Sequence, residues 1–224
     1  MKKFVITAVA ILSIVSLTAI AQAATITTFV SGKSGPWDVS LNPTYSYGVF
    51  ANGQNNFNLA PTIVSNTSGI AFVSGDALTI ANTTPGVANL LAGAGGTLYS
   101  DANGVTWWGA DTSLNSPAHY ISGYNTTNPI YLEELLGVFA FNGVIVGNPF
   151  AIGNGPVTAY IPNGANQLML GVNDGWYNDN GAGTFVSITE VSTAAPVPEP
   201  GTMALLGLGM AGLAIYGKRR QHKS

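Results

Sequence analysis

The 224 residues are enough for one domain with a sizeable core. Seven Lys and Arg stand against ten Asp and Glu, and six of the seven bases sit in the two ends. Residues 24–195 therefore hold one base, Lys33, against nine acids, a net charge of −8. This argues against a nucleic-acid partner, which requires clustered cations. The absence of cysteine excludes disulfides, thiolate metal sites and a Cys nucleophile.

Met1 is followed by Lys2 and Lys3, an apolar run from residue 4 to 20, and Ala21-Gln22-Ala23. A basic start, a short apolar stretch and a small-x-small site predict a signal peptide over 1–23 that signal peptidase removes. An uncleaved anchor is the alternative reading of the same stretch.

The body, 24–195, reads as all-β. Short β-rich runs at 25–30, 69–73, 77–81, 138–141, 157–161, 167–172 and 184–191 are separated by Gly and Asn. The runs 157–161 and 185–191 alternate apolar and polar residues, as half-buried strands do. Only 130–136 suggests a helical turn. The polar, Asn-rich stretch 42–66 predicts a long surface loop. Regular short strands of this kind favour an antiparallel β-sandwich without an internal domain boundary. Three Asn-x-Thr/Ser sequons, at Asn66, Asn82 and Asn125, are expected by chance in so Asn- and Thr-rich a chain.

The segment between the last two predicted strands is the densest in polar oxygens. It packs Asn173, Asp174, Asn178, Asp179 and Asn180 among glycines. Carboxylate, amide and main-chain oxygens in one tight loop are the ligand types Ca²⁺ takes, and a solvated turn uses the same residues. Trp107, Trp108, Trp176 and Tyr177 offer aromatic faces to a sugar or to the core. His119 is the only histidine of the body, and no nucleophile motif accompanies it. Glu133 and Glu134 are adjacent, which makes a poor acid/base pair, because neighbouring side chains point apart. The body is expected not to be an enzyme, and a polysaccharide hydrolase is the weakest alternative.

At the far end, Pro196-Val197-Pro198-Glu199-Pro200-Gly201 forms a stiff non-helical linker. An uncharged stretch, 202–216, predicts a single transmembrane helix, followed by Lys218, Arg219, Arg220 and Lys223. Fifteen helical residues span about 22 Å, less than the roughly 30 Å hydrocarbon core. Snorkelling basic side chains cover part of the gap and keep this end cytoplasmic. A buried core helix is the other reading. The G-x-G-x-x-G pattern at Gly207, Gly209 and Gly212 lies inside this stretch. It lacks the strand and downstream acid of a dinucleotide site and reads as small residues of a membrane helix.

Pro198-Glu199-Pro200, a short apolar helix and the stop-transfer bases Lys218, Arg219 and Arg220 resemble the PEP-CTERM sorting domain of Gram-negative bacteria, over 196–224. That resemblance implies an exosortase as processing partner. It also implies the inner membrane as a transient station, reached through the C-terminal helix, and delivery to the cell surface or an exopolysaccharide-rich matrix.

A second resemblance covers the body loosely, from about Val30 to Val191. Leu168-Met169-Leu170-Gly171-Val172 followed by Asn173-Asp174, Tyr177, Asp179-Asn180 and Phe185 is similar to the calcium- and galactose-binding PA-IL-like lectins. Gly69-Ile70 with Val73-Ser74-Gly75-Asp76-Ala77-Leu78-Thr79-Ile80, and Leu136-Gly137-Val138 through Gly143, fall in the matching order. The resemblance implies a jelly-roll-like sandwich with calcium as cofactor. Asp174, Asp179 and Asn180 would be side-chain ligands, and Tyr177 and Tyr99 main-chain ligands. It also implies a galactose-like sugar or exopolysaccharide held near Asp174, Trp176, Asn180 and His119. The loop departs from the family in its tighter Asp174–Asp179 spacing and in one extra residue among Gly181, Ala182 and Gly183. The function expected is calcium-dependent carbohydrate binding at the cell surface, with a structural matrix protein that binds no sugar as the alternative.

Overall fold

The computed structural model describes residues 23–47, 60–85, 100–111, 114–123, 127–191, 205–213 and 216. They divide into two units, Ala23–Thr193 and the two ends, Met1–Gln22 with Ala194–Ser224. In the second unit a helix covers 205–213. Among the described residues no helix is long and apolar enough to cross a membrane, so the expected crossing over 202–216 is not shown. The signal peptide, Pro198, Glu199, Pro200, Lys218, Arg219 and Arg220 lie outside the described residues.

The body is built of β1 (Thr25–Ser31), β2 (Thr62–Ser65), β3 (Ala77–Asn82), β4 (Leu135–Phe141), β5 (Val144–Ile145), β6 (Phe150–Ala151), β7 (Val157–Tyr160), β8 (Gln167–Val172) and β9 (Gly183–Val191). One sheet has the order β1-β9-β3-β7, the other β2-β8-β4-β5, with β6 also on β4. Every strand pair is antiparallel. The first four strands in the chain alternate between the sheets, which face each other as a sandwich.

Side-chain patterning accounts for this arrangement. In β9, Val186 and Ile188 turn inward while Phe185 is exposed. Leu78 and Ile80 of β3 and Val30 of β1 join them in one core cluster with Val64, Val138, Leu168 and Leu170 of the opposing sheet. β8 is buried along its whole length. Beyond the end of β2, the 34–36 backbone runs against it: Val172 N–H donates to the Ser34 carbonyl at 2.9 Å. Gly171 admits this approach, since a Cβ there would collide with the backbone of Gly35 and Pro36. A small second cluster, Ala118, Ile130 and Leu136, packs the 117–121 segment onto β4.

Three sequence expectations are corrected. The strand expected at 69–73 is absent, and the strand of that region is β2, inside the stretch expected to be a surface loop. Gly69 sits in the left-handed region at φ 91°. Beyond it, side chains rather than a ladder take the backbone donors, with Ala71 N–H bonded to Glu190 and Phe72 N–H to Asn66. The expected loop is also anchored at its start. Asn42 is buried, donating to the Asp38 and Gly143 carbonyls at 2.8 Å and accepting from Ile145 N–H at 2.9 Å. Finally, the helical turn expected over 130–136 does not form. Glu133 has φ +67°, which breaks a right-handed helix, and β4 begins at Leu135.

Candidate functional site

β4 and β8 pair with Leu135 opposite Val172. Carrying that register one residue past the strand ends places Glu134 beside Asn173, and Asn173 N–H donates to the Glu134 carbonyl at 2.8 Å. At Glu133, with φ +67°, the register breaks, and Glu133 N–H also bonds the Asn173 carbonyl, at 2.5 Å. The start of β4 and the loop leaving β8 are thus one structure.

Asn173 is its hub. Its buried side chain accepts from Ala118 N–H at 2.7 Å and donates to Asp111 Oδ2 at 3.0 Å and to the Tyr131 carbonyl at 2.8 Å. With those bonds made, it is a tether and not a free donor of oxygen. It fixes the 117–120 turn, and with it His119, alongside the β8–β9 loop.

Asp174 is 4% exposed and Asn180 3% exposed. Asp174 Oδ1 accepts from Trp176 N–H at 2.8 Å. Asn180 donates its amide to the Gly32 carbonyl at 2.8 Å, tying the loop to the end of β1. Asp174 Oδ2 and Asn180 Oδ1 are buried with no hydrogen-bond partner among the described residues. Burial pushes the Asp174 carboxyl up to about 6, while Trp176 N–H and the neighbouring Asn180 side chain pull it down.

The other residues expected in the site take different roles. Tyr177 has its ring in the core, its hydroxyl donating to the Val172 carbonyl at 2.8 Å. Burial holds that hydroxyl's pKa well above its ordinary value. Its carbonyl accepts from Asn180 N–H at 3.3 Å, closing the turn Tyr177–Asp179. Asp179 is partly exposed; desolvation raises its carboxyl and the charge of Lys33 opposes this. Trp176 is 36% exposed and His119 is exposed, so both reach the rim. Trp107, at 57% exposure, is a surface residue and not core. Tyr99 and the side chain of Trp108 lie outside the described residues.

Glu133 and Glu134 were not expected here. Both are buried. Glu134 Oε2 accepts from Tyr131 N–H at 2.8 Å, and burial pushes its carboxyl up to about 7. Glu133 Oε2 has no hydrogen-bond partner among the described residues. Its carboxyl is pushed up to about 10, first by burial and then by the charges of Asp174 and Asp179. The signal in the sequence was two acids immediately before the apolar run that becomes β4. Weighing them only as an acid/base pair, and setting them aside as a poor one, left out what the backbone of the β8–β9 loop brings against them.

Among the described residues no three His, Cys, Asp or Glu side chains are placed to hold a metal together. A cation at this end depends on amide and main-chain oxygens beside carboxylates, a donor set that suits calcium and not zinc.

Residues 196–220 match the PEP-CTERM protein-sorting motif. The motif implies an exported protein processed by an exosortase through a membrane-anchored sorting intermediate. No curated protein and no solved structure matches the chain. The likeness of the body to PA-IL-like lectins therefore rests on its residues alone.

Proposed function

We propose that this is an exosortase-processed surface or matrix protein whose β-sandwich binds calcium where β8 leaves for β9 and meets carbohydrate at the rim. The observation that carries the reading is the pair of buried oxygens, Asp174 Oδ2 and Asn180 Oδ1, left without a hydrogen-bond partner among the described residues. A buried polar atom left so costs about 1–3 kcal/mol, more when charged. A hard cation offsets that cost and takes these oxygen types. Asp174 and Asn180 would supply side-chain oxygens and Tyr177 a carbonyl, with Asp179 and Tyr99 as further candidates from the lectin likeness. The strand order β1-β9-β3-β7 over β2-β8-β4-β5 supports a jelly-roll-like winding. Trp176 and His119, exposed on either side of the Asn173 tether, are the groups offered to a neutral sugar such as galactose.

Calorimetric titration of the full chain with Ca²⁺ tests the metal. Binding of one ion is expected, with loss of the heat in Asp174→Ala; absence of heat in the unaltered chain would sink the reading. Calcium at a hundredfold over its Kd should add about 2.7 kcal/mol of stability.

A second reading, a matrix protein with calcium as a purely structural ion, is favoured by the burial of Asp174 and Asn180. A sugar hydroxyl has little access to an ion held there. Glycan binding that disappears in EDTA supports the first reading, and calcium binding without any glycan binding supports the second.

A further inference from the structure

The loop leaving β8 is not the only source of an unsatisfied oxygen at this end of the sandwich. Glu133, 2% exposed, stands forty-one positions before Asp174, at the start of β4. We propose that Glu133 is a further side-chain ligand of the calcium site, so that the ion is clamped between the start of β4 and the β8–β9 loop. The inference rests on the calcium reading above and adds a ligand that no pattern within the loop contains.

Three observations support it. Just before β4 the backbone bond from Glu133 N–H to the Asn173 carbonyl holds Glu133 against the residue that precedes Asp174. Glu133 Oε2 is buried without a hydrogen-bond partner among the described residues, as are Asp174 Oδ2 and Asn180 Oδ1. The charges of Asp174 and Asp179 both act on the Glu133 carboxyl, Asp174 the more strongly. Lys33, the one Lys or Arg of the body, acts on Asp179 at the partly exposed side, and the shifts of Glu133 and Asp174 show no basic group among their causes.

The donor set names the ion. Two buried carboxylates match a divalent cation, and all the donors are hard oxygens. They come from a strand start and a turn, an irregular arrangement that a flexible, high-coordination ion tolerates. Calcium accepts such a shell, whereas magnesium demands a near-octahedral one and retains its waters. The clamp adds to the β4–β8 ladder and the Asn173 bonds that already join these segments.

The test is Ca²⁺ titration of the full chain and of Glu133→Gln, Glu133→Asp, Asp174→Asn and Glu134→Gln, each checked for folding by circular dichroism. Glu133→Gln keeps the size and removes the charge; Glu133→Asp keeps the charge and shortens the reach. Both are expected to weaken Ca²⁺ by at least about tenfold, because affinity follows ligand charge and placement. Glu134→Gln should stay within about twofold, since its neighbour's charge is retained and Glu134 is not a ligand. If one Glu133 variant does not fold, the other decides. Unaltered affinity in a folded Glu133 variant, with Asp174→Asn losing binding, overturns this inference and leaves the calcium reading standing. No binding by the unaltered chain removes the calcium reading itself. Magnesium binding as tightly as calcium would overturn the choice of ion.

Discussion

Buried carboxylates in this body are raised, not lowered, and this inverts the usual pH dependence of stability. Glu134 has its carboxyl at about 7 against an ordinary value of 4.5, mainly through burial. The folded chain therefore holds a proton that the unfolded chain has released between those values. Stability contributed by the protonated group is complete below 4.5 and is lost as pH rises toward 7. Asp174 at about 6 and Glu133 at about 10 act in the same direction. Without divalent cations, the sandwich should be more stable near pH 5 than near pH 8, by about 2–3 kcal/mol from Glu134 alone. Glu134→Gln keeps an acceptor for Tyr131 N–H and carries no charge, so it should remove that share of the slope. Urea denaturation in EDTA at the two pH values measures it, and an unchanged slope would refute the assignment. The loop oxygens of Asp174 and Asn180 were legible in the sequence because a Gly- and Asn-rich turn advertises itself. The burial of Glu133 was not, because its backbone is held by Asn173, forty residues later in the chain, which no local pattern encodes.

The same distinction runs through the secondary-structure elements. β8 was legible as a strand, since Leu168 to Val172 form a short apolar run bounded by turn residues. What covers it was not legible, and Gly171 shows why: its lack of a side chain matters only once Gly35 and Pro36 lie against it. Gly171→Ala should destabilise the body by about 3 kcal/mol or more, because the obstacle is backbone and cannot rotate away. Chemical denaturation would show it, and a loss below about 1 kcal/mol would mean that the 34–36 segment yields. β2 and the stretch 69–73 make the complementary case. Both have β-forming composition, yet only Thr62–Ser65 finds a partner strand, in β8. The Ala71 and Phe72 donors were taken instead by Glu190 and Asn66, residues that a strand-propensity argument does not weigh.

At the scale of the whole molecule, charge divides the chain into parts with different tasks. The body carries one base against nine acids, and the calcium site proposed above would draw on that excess. The tail carries four of the seven bases, and its 196–220 segment matches the sorting motif. Pro198 and Pro200 flank Glu199 in the sequence, and a residue before a proline is biased away from the helical region toward extended backbone. An extended, rigid segment with one carboxylate is a form that a processing enzyme can bind at low entropic cost. Glu199→Ala preserves the stiffness and removes the charge, so it separates the two contributions. In a host with an active exosortase, the unaltered protein should leave the membrane fraction with its C-terminus shortened. Glu199→Ala should accumulate there at full length, still bearing Lys218, Arg219 and Arg220. Mass spectrometry of the C-terminal peptide reads the difference directly. Equal processing of both chains would show that the carboxylate is dispensable and that the proline-stiffened backbone with the basic stop is sufficient for recognition.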